Sequence, residues 1–135
     1  MNDLVLRENR DGAAILTLNR PAKLNALSKD LIETLEEHID HIARETKTVG
    51  LVILRGAGGN FSSGHDMTEV LSQVKARAKP HHYVEVIDKV ADLPQPVISA
   101  VRGTARPEPW SWRSRRISSW LRHRPVSPMP TPAGD

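Results

Sequence analysis

Apolar and polar positions in the first hundred residues alternate between the period of a strand and the period of a helix. Apolar runs at 4–8 and 13–18 flank an Asn-Arg-Asp-Gly turn, which predicts a β-hairpin. Apolar residues then recur at helical spacing from 31 to 42, after a serine placed to cap the helix. We expect this helix to reach about residue 45, with Glu33, Glu36, Glu37 and Asp40 facing solvent.

The same alternation continues along the chain. An apolar strand is predicted over 49–55, a short helix over 68–75, a further helix over 81–93 and a strand over 96–101. A helix between two strands implies a parallel crossover connection. The pattern therefore predicts an α/β fold with no transmembrane span, because no apolar run approaches the ~20 residues that a span needs.

A glycine-rich turn follows the apolar strand and is the richest candidate for chemistry. Three glycines between 56 and 59 precede the sequence FSSGHDM at 61–67. Small residues at the end of a buried strand leave backbone N–H groups free to hold a developing oxyanion. Taken alone, such a turn is more often a plain connection between a strand and a helix.

Two other motifs give that turn more weight. NRPAKLNALS occupies 19–28 and LPQPVISAVRGT occupies 93–104. In this order and spacing with FSSGHDM, they resemble the enoyl-CoA hydratase/isomerase (crotonase) family over about residues 3 to 105. The resemblance implies a crotonase-like spiral of β/β/α units, here truncated, since subunits of that family are much longer. The FSSGHDM motif looks most like a subgroup of hydratase-like proteins.

The resemblance also implies a binding site for an acyl-CoA thioester, with CoA as part of the substrate and no separate cofactor. In the family, two backbone N–H groups polarise the thioester carbonyl, and one of them follows the glycine of the motif. Here that donor is the N–H of His65, after Gly64. We prefer this role for His65 to general base catalysis by its imidazole, and we expect Asp66 to cap the helix that follows. The contacts to CoA implied by resemblance are Lys23, Leu24, Ala26, Ser62, Ser63, Gly64, His65, Asp66 and Met67.

The second N–H donor and one catalytic glutamate of the family belong to the segment after Gly-Thr-Ala at 103–105, and the family's second catalytic glutamate lies further on. Here that segment reads Arg-Pro-Glu-Pro-Trp, and proline has no N–H to donate. The resemblance implies hydration of a 2-enoyl-CoA in fatty-acid metabolism, but we expect this chain to be inactive. An alternative is a non-catalytic fragment that binds CoA or acyl-CoA.

Composition changes abruptly after residue 104, so we divide the chain into 1–104, the N-terminal part of a crotonase-like domain, and an irregular tail at 105–135. The tail holds six of the 19 basic residues, only two of the 16 acidic ones and all three tryptophans. Arginine with interleaved aromatics is also typical of nucleic-acid binding, which we rank last. Shifting the Trp and Arg codons by one base allows the text VELALAAD, so we interpret the tail as frameshifted and disordered.

Other features exclude function classes. The chain has no cysteine, which excludes disulfides and thiolate chemistry. The adjacent pair His81-His82 points in different directions on a helix, and His38 with His41 lacks further ligands, so no metal site is predicted.

The first ten residues do not read as a signal peptide, and a cytoplasmic protein is expected. The family forms homo-oligomers, whereas an unpaired strand edge would make this chain prone to aggregation.

Overall fold

The structure is a computed structural model that describes residues 3–77 and 83–104. It contains one four-stranded sheet in the order β1-β2-β3-β4, with β1 antiparallel to β2 and all later neighbours parallel. The strands are β1 Val5–Arg10, β2 Ala13–Leu18, β3 Leu51–Gly56 and β4 Val97–Ala100. The helices are α1 Lys29–Arg44, α2 Met67–Ala76 and α3 Tyr83–Ala91. The predicted α/β alternation and the parallel crossover are confirmed.

The hairpin and α1 form where local chemistry places them. Asp11 and Gly12 both have positive φ, 50° and 78°, as the tight turn between β1 and β2 requires. Ser28 caps α1, because its hydroxyl accepts a hydrogen bond of 3.3 Å from the N–H of Leu31. The helix ends at Arg44, one residue before the predicted end.

The core lies between one face of the sheet and the helices α1 and α3. Leu16 and Leu18 of β2 and Val52 and Leu54 of β3 are almost fully buried. Against them pack the apolar face of α1 and that of α3, whose buried residues are Leu31, Ile32, Leu35, Ile39, Ile42, Tyr83, Val86, Ile87 and Val90. Helix α2 has no buried residue and lies outside this core.

One expectation about α1 is wrong. Glu36 and Asp40 do not simply face solvent, because Lys89 of α3 reaches both of them. Its Nζ lies 2.6 Å from Glu36 Oε1 and 3.1 Å from Asp40 Oδ1. Positions four apart share one helix face, and that face borders the apolar stripe against which α3 packs. The acids therefore contribute to the contact between the helices.

Several predictions fall on residues outside the described ranges. They concern the paired histidines at 81–82, the segment 106–110 and the interpretation of the tail at 105–135 as frameshifted and disordered. Of the other histidines, His38 is tied to the hairpin, with Nε2 at 3.2 Å from the carbonyl oxygen of Val5. Within the described ranges, no helix combines the length and the apolar character that crossing a bilayer demands.

Candidate functional site

Two loops that are distant in sequence pair beside the C-terminal end of β3. The N–H of Leu27 donates to the carbonyl of Gly64 at 2.8 Å, and the N–H of Asp66 donates to the carbonyl of Leu27 at 3.2 Å. A third bond of 2.9 Å joins the N–H of Ser63 to the carbonyl of Leu24. The NRP…NAL loop and the FSSGHDM loop thus form a short parallel bridge.

A cleft of about 360 Å³ opens along this bridge. Seven of the nine residues predicted to contact CoA line it: Lys23, Ala26, Ser63, Gly64, His65, Asp66 and Met67. Leu24 does not line it, and its side chain is exposed. Ser62 is buried beneath the wall, where its hydroxyl donates to the carbonyl of Asn25 at 2.8 Å and accepts from the N–H of Gly64 at 3.1 Å.

The backbone of His65 has the geometry of a free donor. In the bridge, Leu27 makes both hydrogen bonds, one to each neighbour of His65, so the N–H of His65 is directed away from Leu27. No acceptor for this N–H is found among the residues that the structure describes. A backbone donor left unpaired in the wall of a cleft can bind an acceptor atom of a ligand.

Two glycines allow the loop to take this path. Gly64 has φ of 87°, a conformation that a side chain disfavours. Gly56 at the end of β3 has no room for a side chain, since a Cβ there would lie 2.0 Å from the carbonyl oxygen of Asn60. Both positions therefore require glycine for local steric reasons.

Asn25 holds the two loops together and was not singled out from the sequence. Its side chain is fully buried, and Nδ2 donates to the carbonyls of Ala57 and Asn60, at 2.9 Å each. Its Oδ1 accepts from the N–H of Arg20 at 2.8 Å. An amide side chain can serve carbonyls and an N–H at once, so Asn25 fixes the glycine-rich turn against the NRP segment.

Asp66 stands at the N-terminus of α2 beside the donor residue. Its Oδ1 accepts from the N–H of Thr68 at 3.0 Å, which confirms the predicted cap. Its Oδ2 accepts from Nη1 of Arg20 at 2.6 Å. The bond from Arg20, followed by the one from Thr68, holds the pKa of this carboxyl below its usual range despite its burial. Asp66 is therefore a structural anion and not a proton donor near neutral pH.

The ring of Tyr83 packs against the imidazole of His65. The two rings meet edge to face, with centroids 4.6 Å apart and planes at 79°. The Tyr83 hydroxyl donates to the carbonyl of Leu27 at 3.1 Å and lies 3.5 Å from Glu69. Burial, reinforced by the Glu69 carboxylate, raises the pKa of Tyr83 to about 12. Its place at the site has no signal in the local sequence.

A second cavity of about 590 Å³ adjoins the cleft and shares His65 and Met67 with it. We call it the α2 groove. Its other described lining residues are Val70, Gln73, Val74, Arg77 and Tyr83. The site thus combines a cleft of mixed polar and apolar lining with a mainly apolar groove, and His65 and Met67 line both.

Comparison with known proteins identifies the family of the chain. The family model described as enoyl-CoA hydratase/isomerase matches residues 8–107. Enoyl-CoA hydratase domain-containing protein 3, mitochondrial, from Danio rerio is 37% identical over 108 residues, which cover 77% of this chain and 37% of that protein. The 4-chlorobenzoyl coenzyme A dehalogenase-2 of an Arthrobacter species is 35% identical over 105 residues, which cover 73% of this chain and 37% of the dehalogenase.

A solved structure shows the same fold. The enoyl-CoA hydratase from Mycobacterium marinum superposes with a TM-score of 0.65 at 28% identity, covering 73% of this chain and 47% of that one. The chain spans less than half the length of each of these proteins. With a family model that matches most of its residues and a crotonase fold in the described part, the chain belongs to the enoyl-CoA hydratase/isomerase family.

Proposed function

We propose that this chain binds acyl-CoA thioesters and holds the thioester oxygen at the N–H of His65. The observation that carries the proposal is this unpaired backbone donor in the wall of a cleft. A preorganised N–H stabilises an oxyanion by about 2.7–4 kcal/mol where such donors have been removed from enzymes. The family relationship makes a CoA thioester the natural source of that oxygen.

The two cavities divide the ligand between them. The cleft of mixed lining, which includes the exposed cation of Lys23, suits the CoA portion. The α2 groove, with Met67, Val70 and Val74 along it, suits an acyl chain. His65 lies where the two meet, which is where a thioester carbonyl would lie.

Hydration of a 2-enoyl-CoA, as in fatty-acid metabolism, is the reaction that we assign to the full-length enzyme from which this chain derives. Relatives such as the dehalogenase carry other reactions in their names, and a CoA thioester is what these names share. The second N–H donor and one catalytic glutamate of a hydratase fall by resemblance at 106–110, where two of five positions are proline. We therefore propose that this chain binds the thioester without hydrating it.

Two measurements test the proposal. Calorimetric titration with crotonyl-CoA should show binding, while the absorbance of its enoyl thioester should not fall faster than in buffer. Absence of binding contradicts the proposal, and turnover contradicts the inactive state. In spectra of ¹⁵N-labelled protein, the His65 amide proton should shift downfield on titration more than the amides of α1 do.

Substitutions at one position separate the backbone from the side chain. His65→Ala keeps the N–H and should retain binding, whereas His65→Pro removes the donor and should lose it. Circular dichroism checks that the proline variant folds. If His65→Ala alone abolishes binding while the amide shift is absent, the imidazole and not the backbone holds the ligand.

A further inference from the structure

The α2 groove ends in a positive charge. Its described lining residues include one cation that is always charged, Arg77, together with Gln73, and they include no carboxylate. Arg77 makes no ion pair with any described residue. A mainly apolar groove with an uncompensated guanidinium is suited to a ligand that is apolar along its length and anionic at one end.

The groove runs along the helix from the donor to this cation. Met67, Val70, Val74 and Arg77 follow one another at steps of three or four residues, which places them in one stripe on α2. At 1.5 Å per residue, Met67 and Arg77 are separated by about 15 Å along the axis. His65 precedes the first of them, so the oxyanion donor and the guanidinium lie at opposite ends of the same groove.

The backbone of Arg77 fixes where α2 ends. Arg77 closes α2 in the left-handed conformation, with φ of 49° and ψ of 31°, and its N–H donates to the carbonyls of Gln73 and Val74. Many helices end in this conformation, which glycine adopts most readily. Arg77 is thus held at the C-terminus of the helix whose side chains line the groove.

We infer that the α2 groove takes an acyl chain that ends in a carboxylate, which Arg77 binds. The ligand class is thus the CoA monothioester of an α,ω-dicarboxylic acid, and the inference rests on the proposed thioester function. A guanidinium can bind a carboxylate through two parallel hydrogen bonds. Gln73, one turn earlier on the same stripe, offers a further N–H donor.

The test compares two thioesters that differ only at the far end of the acyl chain. Dodecanedioyl-CoA should bind about fivefold more tightly than dodecanoyl-CoA, the effect expected of a partly exposed ion pair. The ratio should shrink toward one in high salt. Arg77→Gly should abolish the preference without loss of folding, since glycine adopts the cap conformation readily. Arg77→Lys should keep part of the preference.

A matched control removes a charge from the same helix. Lys75 is exposed and does not line the groove, so Lys75→Ala should leave the ratio unchanged. Equal affinity for the two thioesters, or a ratio that survives Arg77→Gly, overturns the inference while leaving the proposed function intact. Failure of both thioesters to bind overturns the two together. Dimerisation that competes with dodecanedioyl-CoA assigns the groove to a second copy of the chain and also overturns the inference.

Discussion

Arg20 and Asp66 are 46 residues apart in the chain, yet Nη1 of Arg20 lies 2.6 Å from Oδ2 of Asp66. Both side chains are largely shielded from solvent, with 25% and 11% of their surface exposed. The pair joins the loop after β2 to the N-cap residue of α2. Because Asp66 follows the donor residue His65, this ion pair restrains the backbone that aims the N–H.

Two substitutions at Asp66 separate its charge from its cap. Asp66→Asn keeps a side-chain oxygen for the N–H of Thr68 but loses the ion pair, and we expect a loss of about 1–2 kcal/mol in the free energy of unfolding. Asp66→Ala also loses the cap, which adds about 1 kcal/mol. Urea unfolding followed by circular dichroism measures both. Equal stability of the two variants would show that the cap contributes nothing.

The contribution of Asp66 to stability should depend on pH in one direction. Its folded-state pKa is depressed, so the stabilisation is fully present above the unfolded pKa of about 3.9 and is lost as pH falls through the lower folded value. The stability difference between the wild type and Asp66→Asn should therefore be constant near neutral pH and shrink below about pH 4. Other carboxylates, such as Glu45, are present in both proteins and cancel. A difference that grows in acid would contradict this assignment.

Asn25 should be among the least replaceable residues of the site. Asn25→Gly removes the side chain and tolerates the φ of 53° at this position, so the variant isolates the loss of hydrogen bonds. The carbonyls of Ala57 and Asn60 then lose their donor in a part-buried place, and we expect a loss of about 3 kcal/mol in the free energy of unfolding. Asn60→Ala is the control, because it removes a single exposed bond to Thr104. Urea unfolding should rank the first variant well below the second.

Periodicity was sufficient for the elements because burial is a local property of the pattern. The apolar stripe of α1 and the apolar runs of β2 and β3 each indicate which face is buried. Strand β2 has the predicted bounds, and the two ends of β3 differ from the predicted ones by two residues and by one. The cap residues Ser28 and Asp66 were also readable, since a cap acts within three residues of itself.

The pairing of the loops could not be read in the same way. The bonds of Asn25 reach across 32 and 35 residues, and Tyr83 reaches Leu27 across 56. No pattern within either segment specifies such a partner. The cleft residues came from the family resemblance, which carries the three-dimensional arrangement with it. Ser62 shows the limit of prediction by resemblance. It was expected to contact CoA, but its hydroxyl is buried beneath the wall of the cleft.

The free edge of β4 leads to a prediction about association. In the described part of the chain, β4 pairs with β3 on one side and with no strand on the other. Unpaired edges template association with other chains, so the oligomeric state by light scattering should increase with concentration. Ala100→Lys puts a charge on the exposed end of β4 and should reduce it. Thr46→Lys adds the same charge to an exposed turn and should not. A monodisperse monomer at all concentrations would contradict the prediction.

Tyr83 permits a direct optical test, because it is the only tyrosine in the chain. Ionisation would break its bond to Leu27 and place a second negative charge beside Glu69. The phenolate absorbance should therefore appear with a midpoint at a pH of about 12 in the folded protein and of about 10 in urea.

A rapid pH jump measures the folded state before alkaline unfolding, and Tyr83→Phe supplies the blank. Because the native state retains a proton that the unfolded state releases, stability should fall as pH rises above about 10 in the wild type relative to Tyr83→Phe. A folded-state midpoint near 10 would mean that the hydroxyl faces solvent and does not support the site.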